Sequence, residues 1–377
     1  MDSFKTPKFK IGRQKKAVSD PVSKVLELGI KEDVFPGASL FVSKQDEPVI
    51  FSYVGLRRVI PYALPMEENT VFDLASLTKP LVTSLSLMKL ASEGSISPES
   101  SIGDVLTEAP DFLKPVTLKH LLCHCGGLAD WNPFYLECMK YEYQYGKKIL
   151  RKQITMLPKL YEPGAKTLYS YIGFMFLEWI IELIAKQSLA SYWSENFAKP
   201  LNLKDSFIGT ENHPEQLHQD GFAATELSLL RGKVVQGEVH DDNAWFACGF
   251  SGHAGLFCTI WELYVIMSMI RGHYINKRCD FFDPDVVKKF LLRQNCMGDG
   301  RFALGWDMPS ENSSSAGKYF SPNSVGHLGF TGTSVWWDLD KDIIVIFLSN
   351  RIHPSSKNNK IKEFRPILHN SVREVIN

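Results

Sequence analysis

The sequence predicts an α+β fold in which one antiparallel sheet is built from both ends of the chain, and three observations carry that expectation. Residues 38–43 and 49–54 read as strands around a polar turn at 44–48, which makes a hairpin. A second hairpin appears near the other end, where 333–338 and 343–348 flank Leu339-Asp340-Lys341-Asp342; the β-branched run I-I-V-I-F-L of its second strand reads as buried. Between the two hairpins the apolar residues fall mostly at helical spacing.

The helices follow from local signals. Asp20 before Pro21 opens a first helix with Val22, Val25, Leu26 and Leu28 as its apolar positions, and Phe35-Pro36-Gly37 breaks the chain before the first strand. An apolar helix over 81–91 ends at Gly94, and a strong stripe over 174–185 follows the Pro163-Gly164 turn. Thr259-Ile260-Trp261-Glu262 reads as a capping box opening a helix over 263–270. Ile361, Phe364, Ile367, Leu368, Val372, Val375 and Ile376 trace an amphipathic closing helix. The expected layout is a mobile basic arm at 1–17, a sheet subdomain formed by 18–100 and 300–377 with flanking terminal helices, and a largely helical inserted subdomain at 101–299, all within one catalytic domain.

Composition narrows the partners. The 377 residues carry 42 basic and 42 acidic side chains, so nothing favours nucleic acid or an anionic membrane surface. The excess of lysine in the first sixteen residues lacks the apolar core of a secretory signal. No apolar run approaches the ~20 residues of a membrane span. Seven cysteines, an odd number, point to reduced thiols and a cytoplasmic address. Cys123-His124-Cys125 is too tightly spaced for zinc and has no second ligand pair, so buried thiols are expected there. His120 and His124 are spaced i,i+4, but Leu121 stands where a zinc peptidase needs Glu. His240-Asp241-Asp242-Asn243 reads as loop hydrogen bonding, because adjacent side chains rarely converge on one ion. No metal or organic cofactor is implied, the partner is a small-molecule substrate, and oligomeric state stays open.

Residues 72–80, F-D-L-A-S-L-T-K-P, carry the chemistry. Ser-x-x-Lys occurs three times, at Ser76/Lys79, Ser86/Lys89 and Ser315/Lys318, so the pattern alone is weak. Pro80 separates them. Proline is tolerated in the first turn of a helix and is costly deeper in, which places a helix start at about residues 76–77. Ser76 then lies at the amino end, where free N–H groups and the helix dipole stabilise developing negative charge. Lys79 shares its face, and a buried lysine with a lowered pKa can take the serine proton. Ser86 and Lys89 read as helix surface, and Ser315 and Lys318 fall in a polar loop. The competing reading of Ser76 is a helix-capping serine beside a solvated lysine.

The segments downstream decide between these. F-D-L-A-S-L-T-K at 72–79, H-L-L-C-H-C-G-G-L at 120–128, P-G-A-K-T-L-Y-S-Y-I-G at 163–173, G-E-V-H-D-D-N-A at 237–244, G-H-A-G-L-F-C-T at 252–259 and H-L-G-F-T-G-T-S at 327–334 occur in the order of one family. Over about residues 20–370 the chain resembles the serine β-lactamase and penicillin-binding-protein superfamily, specifically class C β-lactamase-like esterases and hydrolases. The resemblance implies a β-lactamase/DD-peptidase-like fold, Ser76 as acylated nucleophile, Lys79 as its partner and Tyr169 as a second proton-transfer group. A phenol titrates near about 10, and a neighbouring ammonium favours its phenolate. Whether Lys79 or Tyr169 takes the serine proton stays open at this point.

Two positions depart from the β-lactamase pattern. Tyr171 stands where those enzymes carry Asn, which favours an ester or small-acyl substrate over a β-lactam. His327-Leu328-Gly329 stands where they carry Lys-Thr-Gly. The resemblance puts the backbone N–H groups of Ser76 and Phe330 at the oxyanion hole, with His327, Leu328 and Gly329 lining the pocket and Gly329 allowing substrate close to the backbone. Gly252-His253-Ala254-Gly255 reads as a tight architectural turn. The expected activity is hydrolysis of a small ester or amide through an acyl-enzyme on Ser76, with esterase activity ahead of β-lactamase or D-amino-acid peptidase activity. Transfer to an acceptor other than water uses the same residues. The rival is a non-catalytic ligand-binding or assembly protein on the same fold.

Overall fold

The computed structural model describes residues 21–209, 214, 216–295, 301–310 and 314–376. The basic arm at 1–17, the capping residue Asp20 and Cys296 lie outside them. Helix α1 (Pro21–Lys31) leads into strands β1 (Gly37–Lys44), β2 (Glu47–Arg58) and β3 (Leu64–Pro65). Helices α2 (Leu85–Ser92), α3 (Tyr171–Ala185) and α4 (Ile260–Tyr274) come from the middle of the chain. Strands β4 (Val325–Leu328), β5 (Ser334–Asp338) and β6 (Ile343–Ser349) and helix α5 (Ile361–Ile376) close it.

The six strands form one sheet in the order β3-β2-β1-β6-β5-β4. Its seam joins the two ends of the chain antiparallel, with Ala38 opposite Ser349 and Lys44 opposite Ile343. Gln45 and Asp46 turn the β1–β2 hairpin with φ of 54° and 70°, the left-handed pair that matches strand twist in a two-residue loop. Both faces of the sheet are covered, which explains the unbroken apolar run of β6. Ile343, Val345 and Phe347 pack with Val22 and Leu26 of α1 and Phe364, Leu368 and Val372 of α5. Ile344, Ile346 and Leu348 face the larger core, with residues of α2, α3 and α4.

Several local expectations are corrected by packing. Leu28, Ile367 and Val375 are exposed, so the terminal helices bury narrower stripes than their sequences suggested. Ser86 is buried rather than on the helix surface, because α2 is enclosed on both sides and leaves that hydroxyl no solvent. Thr259 caps α4 by accepting the Glu262 N–H, but the Glu262 carboxylate turns to the 204–206 loop and accepts from the N–H groups of Lys204 and Asp205 instead of closing the box.

A small three-stranded sheet then does the positioning. Phe72–Asp73 pairs with Leu256–Cys258, which also pairs with Phe207–Ile208. It carries the start of the 72–80 segment up against the residues following His253. Among the described residues, no helix is long and apolar enough to cross a membrane, and no cluster of His, Cys, Asp and Glu could hold a metal ion.

Candidate active site

Ser76 sits in a short 3₁₀ turn, Ala75–Leu77, followed by a π-helical stretch, Lys79–Ser84, that runs into α2. Pro80 occupies the first turn of that stretch, where it forfeits no hydrogen bond. Ala75 adopts φ = 48°, a conformation that a side chain strains. The surroundings hold it there. The Asp73 carboxylate accepts the Ala75 N–H at 2.8 Å and the His240 N–H at 2.7 Å. Thr331 and Thr333 donate to the Asp73 and Leu74 carbonyls at 2.8 and 3.1 Å, so the loop after β4 is stitched to the turn that presents Ser76.

Lys79 is fully buried beneath this turn. Its Nζ donates to Ser76 Oγ at 3.0 Å and to the His253 carbonyl at 3.5 Å. The rings of Tyr171 and Tyr169 lie 4.4 and 4.9 Å from it. Burial pulls the amine down to about 7, against an opposing pull from the Asp241 carboxylate. Tyr169 moves the other way: burial raises its phenol above the ordinary value despite a hydrogen bond with Ser76. The sequence argument for a stabilised phenolate is thereby corrected, since desolvation outweighs the hydrogen bond with Ser76.

Tyr169 and Tyr171 lie just before and at the start of α3. Ser170 caps that helix, its Oγ accepting from the Gly173 N–H at 3.3 Å, and its own N–H donates to His124 Nδ1 at 3.0 Å. Burial holds His124 well below the ordinary imidazole range, so it accepts as a neutral ring. His327, on edge strand β4, has its Nδ1 2.9 Å from the Leu328 carbonyl, an acceptor, so Nδ1 carries the hydrogen. Nε2 is then free to accept from the Tyr169 hydroxyl, 3.4 Å away. Burial lowers His327 to about 3.

Two cavities open on either side of the serine, and Ser76, Tyr169, Tyr171 and Phe330 line both. The larger, about 470 Å³, is completed by Asp130, Trp131, Tyr135, Glu226, His240, Asp241 and His253 among others. The smaller, about 280 Å³, takes in His327, Leu328, Gly329, Arg301, Arg351 and Arg365. Phe330 stands between them, stacked on His240 and lying beneath the Arg351 guanidinium at 4.6 Å. Its N–H makes no hydrogen bond among the described residues. Gly329 has a different reason to be glycine than substrate approach: a Cβ there would lie 2.0 Å from Thr333 Oγ1 and 2.6 Å from the Leu74 carbonyl.

All eight residues singled out in the sequence therefore meet around Ser76. Sequence reasoning missed Asp241, His253, Arg351 and Arg365. The first two lay in segments already quoted, G-E-V-H-D-D-N-A and G-H-A-G, yet were read there as loop architecture.

Comparison with known proteins bears on the fold and the family. A protein of Escherichia coli K12, provisionally named a D-alanyl-D-alanine carboxypeptidase, is 29% identical over 354 residues, covering 85% of this chain and 79% of its own. A Salmonella agona protein of the same name is 28% identical over 357 residues, covering 87% and 81%. Among solved structures, EstCE1, described as a hydrolase with promiscuous acyltransferase activity, matches with a TM-score of 0.71 at 17% identity, over 93% of this chain and 97% of that one. An octameric penicillin-binding protein homologue from Pyrococcus abyssi matches at 0.68 and 22%, over 91% and 75%. These likenesses to solved structures are likenesses of fold, and the names of family and relatives indicate hydrolase activity. The Beta-lactamase family model matches from residue 22 to residue 365, nearly the whole described chain, and the protein belongs to that family.

Proposed function

We propose that the protein is a serine hydrolase that forms an acyl-enzyme on Ser76 and acts on an ester or amide of a small molecule. One observation carries the reading: a fully buried amine, lowered to about 7, lies 3.0 Å from a serine oxygen at the head of a helical run. At neutral pH a large share of Lys79 is then the free base. Ser76 gives its proton to Lys79 as its oxygen attacks the acyl carbon, and the carbonyl electrons move to an oxygen facing the N–H groups of Ser76 and Phe330. Tyr169, kept protonated by burial, turns its single O–H from His327 Nε2 to the leaving atom, gives up that proton and takes one back from the Lys79 ammonium. Water then attacks the acyl carbon, giving its proton to Lys79, and Ser76 Oγ leaves with a proton delivered by the same route. Tyr171 fills the place where the family's β-lactamases offer an amide, which supports ester or small-acyl substrates ahead of β-lactams. The buried free thiols at Cys123, Cys125, Cys138 and Cys258 support a cytoplasmic address.

A second reading is favoured by one feature, a carboxypeptidase-like preference for substrates bearing a carboxylate. Arg351 and Arg365 line the smaller cavity, are nearly buried and touch no carboxylate among the described residues. Glu226 acts on Arg351 only from a distance, and a buried cation without a contacting counter-ion is costly; a substrate carboxylate there supplies one.

The test is stopped-flow p-nitrophenol release from a short-chain p-nitrophenyl ester. A stoichiometric burst or turnover that falls at least about 10³-fold in Ser76→Ala is expected. Equal slow release by both proteins sinks the enzyme reading and moves a ligand-binding role to the front.

A further inference from the structure

Among the described residues, the carboxylate that acts on Lys79 is that of Asp241, from a distant segment. Asp241 precedes the short helix Asp242–Phe246 and caps it, its Oδ1 accepting the Ala244 N–H at 2.8 Å. The same oxygen lies 3.0 Å from His253 Nε2. His253 in turn meets the lysine in two ways. Its main-chain carbonyl accepts from Nζ at 3.5 Å, and its ring stacks on Tyr171 at 5.3 Å and 11°, with the Tyr171 ring lying against Nζ. The other imidazole nitrogen, Nδ1, is buried without a hydrogen-bond partner, so the bond to Asp241 is what fixes the ring. Asp241 also lines the larger cavity, which leaves its carboxylate in reach of the site.

We infer that Asp241, acting through His253, is a positioning residue for proton transfer between Ser76 and Lys79. The inference rests on the reading of Ser76 as nucleophile and Lys79 as base. When Ser76 Oγ bonds to the acyl carbon, its proton passes to the Nζ lone pair, and a neutral amine becomes an ammonium in a site that excludes water. Asp241 supplies the compensating charge and, by fixing His253, holds in place the main-chain carbonyl and the Tyr171 ring that lie against Nζ. Among the described residues, no other group near the amine does this. His124 and His327 are held neutral by burial, and burial likewise raises the phenols of Tyr169 and Tyr171. Around Asp241 itself stand His253 and His240, which favour its carboxylate form, and Asp73, whose acid group burial raises. Burial opposes ionisation of Asp241 most strongly, yet His253 and the Ala244 N–H overcome it and keep the carboxylate below the usual range.

Asp241→Asn removes the charge and keeps a good helix cap. The readouts are the pH profile of the acylation burst between pH 5 and 9 with a neutral p-nitrophenyl ester, and the titration of Lys79 followed by ¹³C NMR, assigned by its loss in Lys79→Met. An opposite charge raises an amine's proton affinity, so its removal moves both the acid limb and the NMR midpoint to lower pH, by about one unit. The plateau of kcat/KM falls about tenfold, because the ammonium formed is less stable. Asp241→Glu restores the charge and returns the midpoint toward wild type. An unmoved Lys79 titration in Asp241→Asn overturns the inference, as does a shift that persists in Asp241→Glu. Absence of any Ser76-dependent burst in the wild type is a different failure: it removes the hydrolase reading, while the NMR midpoint still reports whether Asp241 governs the amine.

Discussion

Two basic side chains are buried on opposite sides of the candidate nucleophile, and burial has different consequences for each. Lys79 lies under Ser76, and Arg365 lies behind the loop after β4, donating to the Gly329 and Thr333 carbonyls at 3.1 and 2.8 Å. Neither touches a carboxylate among the described residues. Desolvation lowers both, Lys79 to about 7 and Arg365 to about 9, the latter helped by its neighbour Arg351. The lysine thus reaches the range in which it gains and loses protons at neutral pH. The arginine starts high enough to stay charged there. The same physical cost yields a proton acceptor on one side and a fixed positive charge on the other.

The comparison breaks most visibly at Lys79. Lys79→Met is expected to lower kcat/KM by about 10³-fold or more, since no other group beside Ser76 is free to accept its proton at neutral pH. The same substitution stabilises the fold, and the pH dependence of that gain identifies its cause. An unfolded lysine holds its proton up to about 10.5 while the buried one releases it near 7. Between these values the unfolded chain binds more protons, so wild-type stability rises with pH across the window. The penalty is present in full below about pH 7, on the order of 5 kcal/mol, and disappears above about 10.5. Thermal unfolding at pH 6 and pH 9 should therefore show a larger Tm gain for Lys79→Met at pH 6. A gain equal at both values assigns the effect to packing and not to the charge.

How much of this was legible in the sequence depends on the distance over which each contact is made. The two hairpins announced themselves through alternation and turn residues, signals that span a few positions. The Ser76–Lys79 pair was legible for the same reason, being three residues apart with Pro80 to fix the helix start. The contact between Lys79 and His253 spans 174 residues and is brought about by strands of two and three residues, too short to leave a periodic signature. Ser86 and Tyr169 were misjudged for a shared reason. Their polarity was visible, but the burial that silences it comes from packing by distant segments, as does the exposure of Ile367 and Val375 on the closing helix.

Tyr169→Phe sharpens the comparison at its midpoint, between the variable charge and the fixed one. The phenol stays protonated throughout the working range, so its removal takes away a donor to the leaving group and leaves Lys79 its acceptor role. The expected result is a fall of about 10²-fold in kcat with little change in KM, and an acid limb that stays near the wild-type position. The loss should shrink for esters with good leaving groups such as p-nitrophenol and grow for alkyl esters or amides, whose leaving atoms need a proton. If the loss is uniform across leaving groups, the phenol orients Ser76 instead of protonating the product, and the roles of the two sides must be redrawn.

The smallest effect belongs to the fixed charge. Arg351 donates to the Phe330 carbonyl at 2.9 Å and to the Ser356 and Asn358 carbonyls at 3.2 and 2.7 Å, so Arg351→Gln disturbs the loop that carries the Phe330 N–H as well as the charge. A ratio separates the two. For a pair of esters differing only in a free carboxylate and its neutral methyl ester, loop disturbance lowers both values of kcat/KM alike. Loss of the charge lowers only the carboxylate's, by about tenfold through KM, the size of one charge-assisted contact. A ratio unchanged from wild type means that the arginines serve the loop alone. That outcome removes the carboxypeptidase-like preference and leaves the esterase reading, in which the charge that matters at Ser76 is the one Lys79 acquires against Asp241.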